Sequence, residues 1–207
     1  MRTIAFVTQK GGSGKSTLAA SVAVAALEDG EKPFALDLDP QATLFSWGAR
    51  RQSGEPSVDK ARVPQLGAIL DALASRGYTL AIIDSQGADV AASSEIMRRA
   101  DLTLIPARPT LPDLEASKPT VAALTALARP YAFVLNQCPT TATGTRSTDA
   151  ARALDMLGAL AKPSICLRAD HQDAVALGLG VTERDAAGKA ATEIRALWAW
   201  IKTRIDQ

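Results

Sequence analysis

The sequence predicts an α/β fold, a mostly parallel twisted sheet with helices on both faces, built as one domain over residues 1–207. Three observations predict it. Apolar, β-rich runs of strand length alternate with stretches of helix length, as parallel βαβ units require. Polar and glycine-rich residues gather at the ends of those strands, where the ligands of such sheets collect. Finally, 47% of the residues are apolar and 22% charged, a balance that supports a buried core and argues against disorder.

The first strand is the run 3–8. It leads into Gln9-Lys10-Gly11-Gly12-Ser13-Gly14-Lys15-Ser16-Thr17, and an alanine-rich helix former follows to a stop near Asp29-Gly30. Strand, glycine loop and helix make the context of a phosphate-binding loop, and so of a P-loop NTPase fold. Gly11, Gly12 and Gly14 let backbone N–H groups of the loop, Ser13 included, turn toward one point without Cβ clashes. The helix N-terminus behind them adds unpaired donors and partial positive charge. Lys15 is placed to reach the β- and γ-phosphates, the Ser16 hydroxyl to sit on Mg²⁺, and Thr17 to contact the α-phosphate.

Residues 33–41 read as a second buried strand running into a polar tip that carries Asp37 and Asp39. Carboxylates at that end can hold Mg²⁺ through water or orient an attacking water, and Asp39 can also cap the short helix expected at 41–52. Residues 53–64 are a loop by composition with room for a short edge strand, and 65–75 a helix ended by Gly77. The run 79–84 is a strand ending in Asp84, the Walker B pattern, whose carboxylate can hold Mg²⁺. A turn at Ser85-Gln86-Gly87 and a helix over 91–99 follow.

Residues 101–106 form a fourth strand and 107–113 a proline-punctuated loop. A helix over 114–127 is expected to kink or break at Lys118-Pro119. The strand 131–136 ends in Asn136, whose amide can serve the adenine edge or bond its own turn. Then come a polar loop at 140–146, a helix over 148–160, a short sixth strand at 164–167, and a helix from 168 to Gly178 or Gly180 that carries His171. That histidine is expected at the surface or in a cap, and as the single histidine it makes no metal site. The last helix, 192–205, lines up Ile194, Leu197, Trp198, Ile201 and Ile205 on one face, read as core packing rather than a membrane anchor.

Charge and cysteine content narrow the partners. Formal net charge is +1, which excludes a protein coated in positive charge but leaves room for a basic face. Cys138 and Cys166 are far apart in sequence without metal-ligand spacing, pointing to a reduced cytoplasmic protein. No signal peptide is read at the N-terminus, and no apolar run approaches the ~20 residues that span a bilayer, so no membrane partner is expected. No Asn-Lys-x-Asp guanine reader appears, since the candidate strand end reads Asn136-Gln137-Cys138-Pro139.

The loop departs from the common phosphate-loop pattern. Gln9 stands where that pattern has glycine, and Lys10 adds a second lysine. Lys10-Gly-Gly-Ser-Gly-Lys-Ser is the deviant Walker A form, and with Asp37-Leu-Asp-Pro-Gln and the strand ending at Asp84 the chain resembles the ParA/MinD family of ATPases. Val181-Thr182-Glu183 and the run Gly188 to Ile194 resemble the end of the small ParF-like plasmid-partition members. The resemblance implies ATP and ADP as ligands with Mg²⁺ on Ser16, Asp39 and Asp84. It also implies that Asp39 positions the hydrolytic water, that Gly87 senses the γ-phosphate, and that Asn136 meets adenine. Lys10 is then expected to reach across an ATP-bound homodimer to the partner's nucleotide, as an arginine finger does. The loop 107–113 resembles a family segment near the dimer face.

The chemistry expected is slow, dimer-gated ATP hydrolysis, in the service of plasmid or chromosome partition. The resemblance implies non-specific DNA binding by the ATP dimer, association with the nucleoid, and a centromere-binding ParB- or ParG-like partner that stimulates hydrolysis. Basic residues cluster in the last third, with Lys189, Arg195, Lys202 and Arg204 as candidate DNA contacts, interleaved with acidic ones. Three alternatives remain open: a cargo-positioning member acting on a protein compartment, a MinD-like membrane-surface switch, and a P-loop metabolic ligase or kinase.

Overall fold

The computed structural model of the chain describes residues 1–87, 90–141 and 145–206. Seven strands form a single sheet in the order β3-β2-β4-β1-β5-β6-β7, every pair parallel. They are β1 (Arg2–Phe6), β2 (Pro33–Asp37), β3 (Ser57–Lys60), β4 (Leu80–Asp84), β5 (Leu102–Ala107), β6 (Tyr131–Leu135) and β7 (Ala159–Leu160). The helices are α1 (Lys15–Glu28), α2 (Thr43–Arg50), α3 (Leu66–Ser75), α4 (Val90–Arg99), α5 (Leu111–Ala126), α6 (Arg146–Asp155), α7 (Ala169–Ala176), α8 (Val181–Arg184) and α9 (Lys189–Ile205). The expected polar loop at 140–146 lies partly outside the described residues.

Because successive strand side chains point to opposite faces, each strand feeds two cores. Ile4, Phe6, Leu80, Ile82, Leu104 and Val134 face α1, α2 and the C-terminal helices, where Leu18, Trp47, Ile194 and Trp198 meet them. Ala5, Ala81, Ile83, Ile105 and Phe133 face the other layer and pack on Leu66 and Leu70 of α3, Ile96 of α4, and Leu154 of α6. Helix α1 is buried on nearly every side from Leu18 to Ala26, held between the sheet and α9. Its alanines allow that close approach without cost in helix propensity.

The strands place the chemistry. β1, β4 and β2 are neighbours, and the register sets Phe6 beside Asp84 and Asp84 beside Asp37. The glycine loop therefore leaves the sheet next to both carboxylates, at the carboxyl ends of the strands.

Four expectations are corrected. Helix α5 starts at Leu111, not 114, and runs through Pro119 without a break. Pro112 falls in its first turn, where a missing N–H is harmless. Thr110 and Arg108 both bond the Asp113 carboxylate there, at 2.7 and 2.9 Å. The sixth parallel run is split. Its ordered strand is β7, and residues 164–167 keep only a bridge between Cys166 and Cys138. The reason is Pro163, which has no N–H: Ala161 donates to Phe133 and Ile165 to Leu135, and the ladder skips the residues between. Helix α6 consequently stops at Asp155 rather than 160. The two cysteines, distant in sequence, are bridge partners in space, both as free thiols. Finally, His171 is not a surface residue, being only 8% exposed.

The apolar stripe of α9 is core, as expected: Ile194, Leu197, Trp198, Ile201 and Ile205 are all buried. Among the described residues no helix is long and apolar enough to cross a membrane.

Candidate functional site

Residues 7–14 connect β1 to α1. Gly12 and Gly14 sit at φ +77° and +91°, the left-handed region where a side chain is strained. A Cβ on Gly14 would also lie 2.4 Å from Asn136 Nδ2, so the position is closed sterically as well. Among the described residues, the backbone N–H groups of Gly11, Gly12, Ser13 and Gly14 donate to no acceptor, and the Ser13 hydroxyl is buried and unpaired. The first turn of α1 adds its own free N–H groups. This is a concentration of unpaired donors, which an anion satisfies.

Lys15 opens α1 and is nearly buried at 9% exposure, while Ser16 and Thr17 are half-buried beside it. Lys10 is half-buried and its ammonium meets no partner among the described residues. Asp84 is fully buried at the end of β4, and neither carboxylate oxygen has a hydrogen-bond partner. Burial pushes its pKa from 3.8 up to about 7, opposed by the Ser16 hydroxyl and the Lys15 charge and reinforced by Asp37 and Asp39. A buried, unpaired carboxylate next to a serine hydroxyl and a lysine is incomplete electrostatically. It fits a divalent cation that Asp84 and Ser16 would hold. Consistently, no cluster of three or more His, Cys, Asp or Glu side chains able to cage a metal occurs among the described residues.

Asp37 and Asp39 divide the labour differently from a simple pair. Asp37 is buried and accepts the N–H groups of Asp39 at 2.9 Å and Phe45 at 2.8 Å. It braces the turn into α2, and burial raises its pKa against those two bonds. Asp39 is more exposed and accepts from the Gln41 N–H at 2.9 Å through one carboxylate oxygen. Beside it lies a depression of about 630 Å³ lined by Asp39, Pro40, Lys60, Arg62 and Gln86. The turn after β4 closes on the loop. Ser85 donates its hydroxyl to the Phe6 carbonyl at 2.8 Å, and a Cβ on Gly87 would lie 2.9 Å from the Thr8 carbonyl. Gly87 therefore packs closely against the start of the glycine loop.

Asn136 is tied to the glycine loop. Its Nδ2 donates to the Ser13 carbonyl at 2.7 Å, so the amide braces the glycine loop instead of its own turn. Gln137, unremarked in the sequence, donates from Nε2 to the Gly12 carbonyl at 2.8 Å. Both contacts span more than 120 residues of chain, and no local pattern announces them. Behind these amides is a small cavity of about 100 Å³ lined by Gly14, Thr17, Asn136, Gln137, Arg168 and His171. Both imidazole nitrogens of His171 are buried and unpaired among the described residues, and burial lowers its pKa.

The candidate DNA contacts are scattered in circumstance. Lys202 pairs with Asp29 at 2.6 Å, and Arg195 reaches Glu28 at 3.3 Å and the Ala186 carbonyl at 2.6 Å. Both line a groove of about 540 Å³ between α1 and α9, away from the glycine loop. Arg204 stacks over Trp200, and Lys189 is exposed at the start of α9.

Residues 4–178 match the family described as the CobQ/CobB/MinD/ParA nucleotide binding domain. Among curated proteins, the chain is similar to "Maintenance of carboxysome distribution protein A" of Halothiobacillus neapolitanus, 26% identical over 201 residues, covering 92% of this chain and 91% of that one. A protein of the same name from Gloeobacter kilaueensis is 33% identical over 121 residues, a stretch that spans 58% of this chain and only 55% of that relative. Among solved structures, the MinC:MinD complex of Aquifex aeolicus matches with a TM-score of 0.80 at 16% identity over 98% of this chain and 96% of that one. Apo McdA from Cyanthece gives 0.79 at 17% over 99% of both. MinD of Pyrococcus horikoshii OT3 with Mg-ADP gives 0.76 at 17% over 97% and 95%. At these identities the structural likeness is one of fold.

Proposed function

Since this chain belongs to the CobQ/CobB/MinD/ParA nucleotide-binding family, we propose that it is a Mg²⁺-dependent ATPase that dimerises around ATP and positions a protein cargo. The observation that carries the catalytic part is the glycine loop with four N–H donors unpaired among the described residues, beside a buried carboxylate at Asp84 that is likewise unpaired among them. Phosphoryl transfer needs charge neutralisation and an oriented water more than covalent help. Gly11 to Gly14 and Lys15 hold the phosphates. Ser16 and Asp84 hold the cation, which when bound draws charge from the phosphate oxygens. Thr17 meets the α-phosphate, Asp39 orients the water, and Gly87 reports the γ-phosphate to the turn after β4. Lys10, unpaired among the described residues of the single chain, supplies its charge to the partner's nucleotide.

The cargo reading replaces plasmid partition as the leading one. Support comes from the two curated relatives, both named for carboxysome distribution, one of them aligned over 92% of this chain. A nucleoid-bound ATP dimer, released when a cargo-borne partner stimulates hydrolysis, is the same switch with a different passenger. Deleting the gene in its source cell tests the choice. Clustered or unevenly inherited protein compartments with stably kept plasmids support positioning; plasmid loss with evenly spread compartments returns the reading to partition. Non-specific DNA is the proposed track. Lys189 and Arg204 can meet phosphate directly, whereas Arg195 and Lys202 must first leave Glu28 and Asp29.

A further inference from the structure

We infer that Gln137, together with Asn136, is a positioning residue for the phosphate cradle: it turns the glycine-loop peptides so that their N–H groups face the ligand. The argument starts from the peptide unit. A trans planar peptide points its C=O and its N–H in opposite directions. The Gly12 carbonyl and the Ser13 N–H belong to one such unit, and the Ser13 carbonyl and the Gly14 N–H to the next. Gln137 Nε2 holds the Gly12 carbonyl at 2.8 Å, and Asn136 Nδ2 holds the Ser13 carbonyl at 2.7 Å. With both oxygens fastened on the β6 side, both N–H groups are directed away from it, and neither donates to any acceptor among the described residues.

Gln137 is itself arranged for this. It adopts φ +54°, an unusual conformation for a residue other than glycine. Its neighbours fix that corner: the Asn136 N–H donates to the Ala107 carbonyl at 2.8 Å and the Cys138 N–H to the Ile165 carbonyl at 3.0 Å. The corner after β6 is thus tied to the sheet on both sides, and two adjacent amides project from it onto two adjacent loop carbonyls. Glycines alone permit many loop conformations. The amide pair selects one of them before a ligand arrives, and preorganisation of this kind raises affinity by lowering the ordering cost on binding.

This inference rests on the nucleotide reading of the loop, and its test separates the two. Gln137→Met keeps the length and removes the donor; Gln137→Lys restores a donor. ADP affinity is measured by calorimetry with Mg²⁺, alongside the thermal midpoint without nucleotide, with Lys15→Ala as the reference for the loop itself. The expected result is ADP binding about 5- to 10-fold weaker in Gln137→Met, the size of one lost hydrogen bond of about 1–1.4 kcal/mol. Gln137→Lys recovers it, and the nucleotide-free midpoint of both variants matches wild type. In turnover, KM for ATP rises while kcat holds. The inference is overturned if Gln137→Met binds ADP as wild type does, or if its nucleotide-free midpoint falls and accounts for the loss. Failure of wild type itself to bind ADP, with no difference in Lys15→Ala, overturns the nucleotide reading and the inference with it.

Discussion

Asp84 is buried with both oxygens unpaired, and its pKa of about 7 against an ordinary 3.8 has a consequence for stability. The folded chain holds that proton more tightly than the unfolded chain. The contribution to stability is therefore complete below about pH 4 and is lost as pH rises through about 7. Without nucleotide and Mg²⁺, Asp84→Asn should come nearest to wild type in thermal midpoint at about pH 4 and exceed it at pH 8 by about 3 °C or more, the shift of roughly 1 kcal/mol in a chain this size. ATP hydrolysis should vanish in the same variant. Asp39→Ala should behave differently, keeping ATP binding while turnover falls about 100-fold or more, because it acts on water and not on phosphate. Gly14→Ala meets two obstacles, a φ of +91° and Asn136 Nδ2 at 2.4 Å, and should weaken ADP binding and cost about 1–3 kcal/mol in urea unfolding. Much of this was legible: Lys10, Lys15, Ser16, Asp39 and Asp84 follow from motif spacing, because neighbouring residues share one loop or one strand end. Gln137 and the burial of His171 were not, because each depends on residues distant in the chain.

At the scale of elements, α9 is the informative case. Its apolar stripe reads as a core face in sequence, and its packing on α1 bears that out. Trp198 is buried and donates to Asp29 at 3.0 Å, whereas Trp200 is half-buried under Arg204. Trp198→Ala should therefore destabilise by about 3–5 kcal/mol in urea unfolding, and Trp200→Ala by about 1 kcal/mol or less. Equal, small effects would contradict core packing. Strands β1, β2, β4, β5 and β6 were readable because strands buried on both faces are continuous apolar runs. The split at β7 was not, since its apolar residues 164–167 are denied a ladder by Pro163 upstream. Helix α5 misled through its prolines, one harmless in the first turn and one tolerated inside.

Over the whole molecule, the parallel sheet was legible from the alternation of runs, while the charge distribution was not. The basic residues of the last third look like a patch in sequence, yet Arg168, Arg184, Arg195 and Lys202 are spent on Glu193, Asp170, Asp173, Glu28 and Asp29. Interleaved acids give the reason, and the fold brings the two signs together across helices. Lys10 has no such partner among the described residues, and the proposed dimer gives it one in a second copy of the chain. The direct test is the mass in solution of wild type, Asp39→Ala and Lys10→Ala with Mg-ATP and with Mg-ADP, by light scattering. The account predicts a stable dimer for Asp39→Ala with ATP, monomers for all three proteins with ADP, and no ATP dimer for Lys10→Ala. A monomeric Asp39→Ala that binds ATP, or a Lys10→Ala that dimerises as well as its parent, would contradict it.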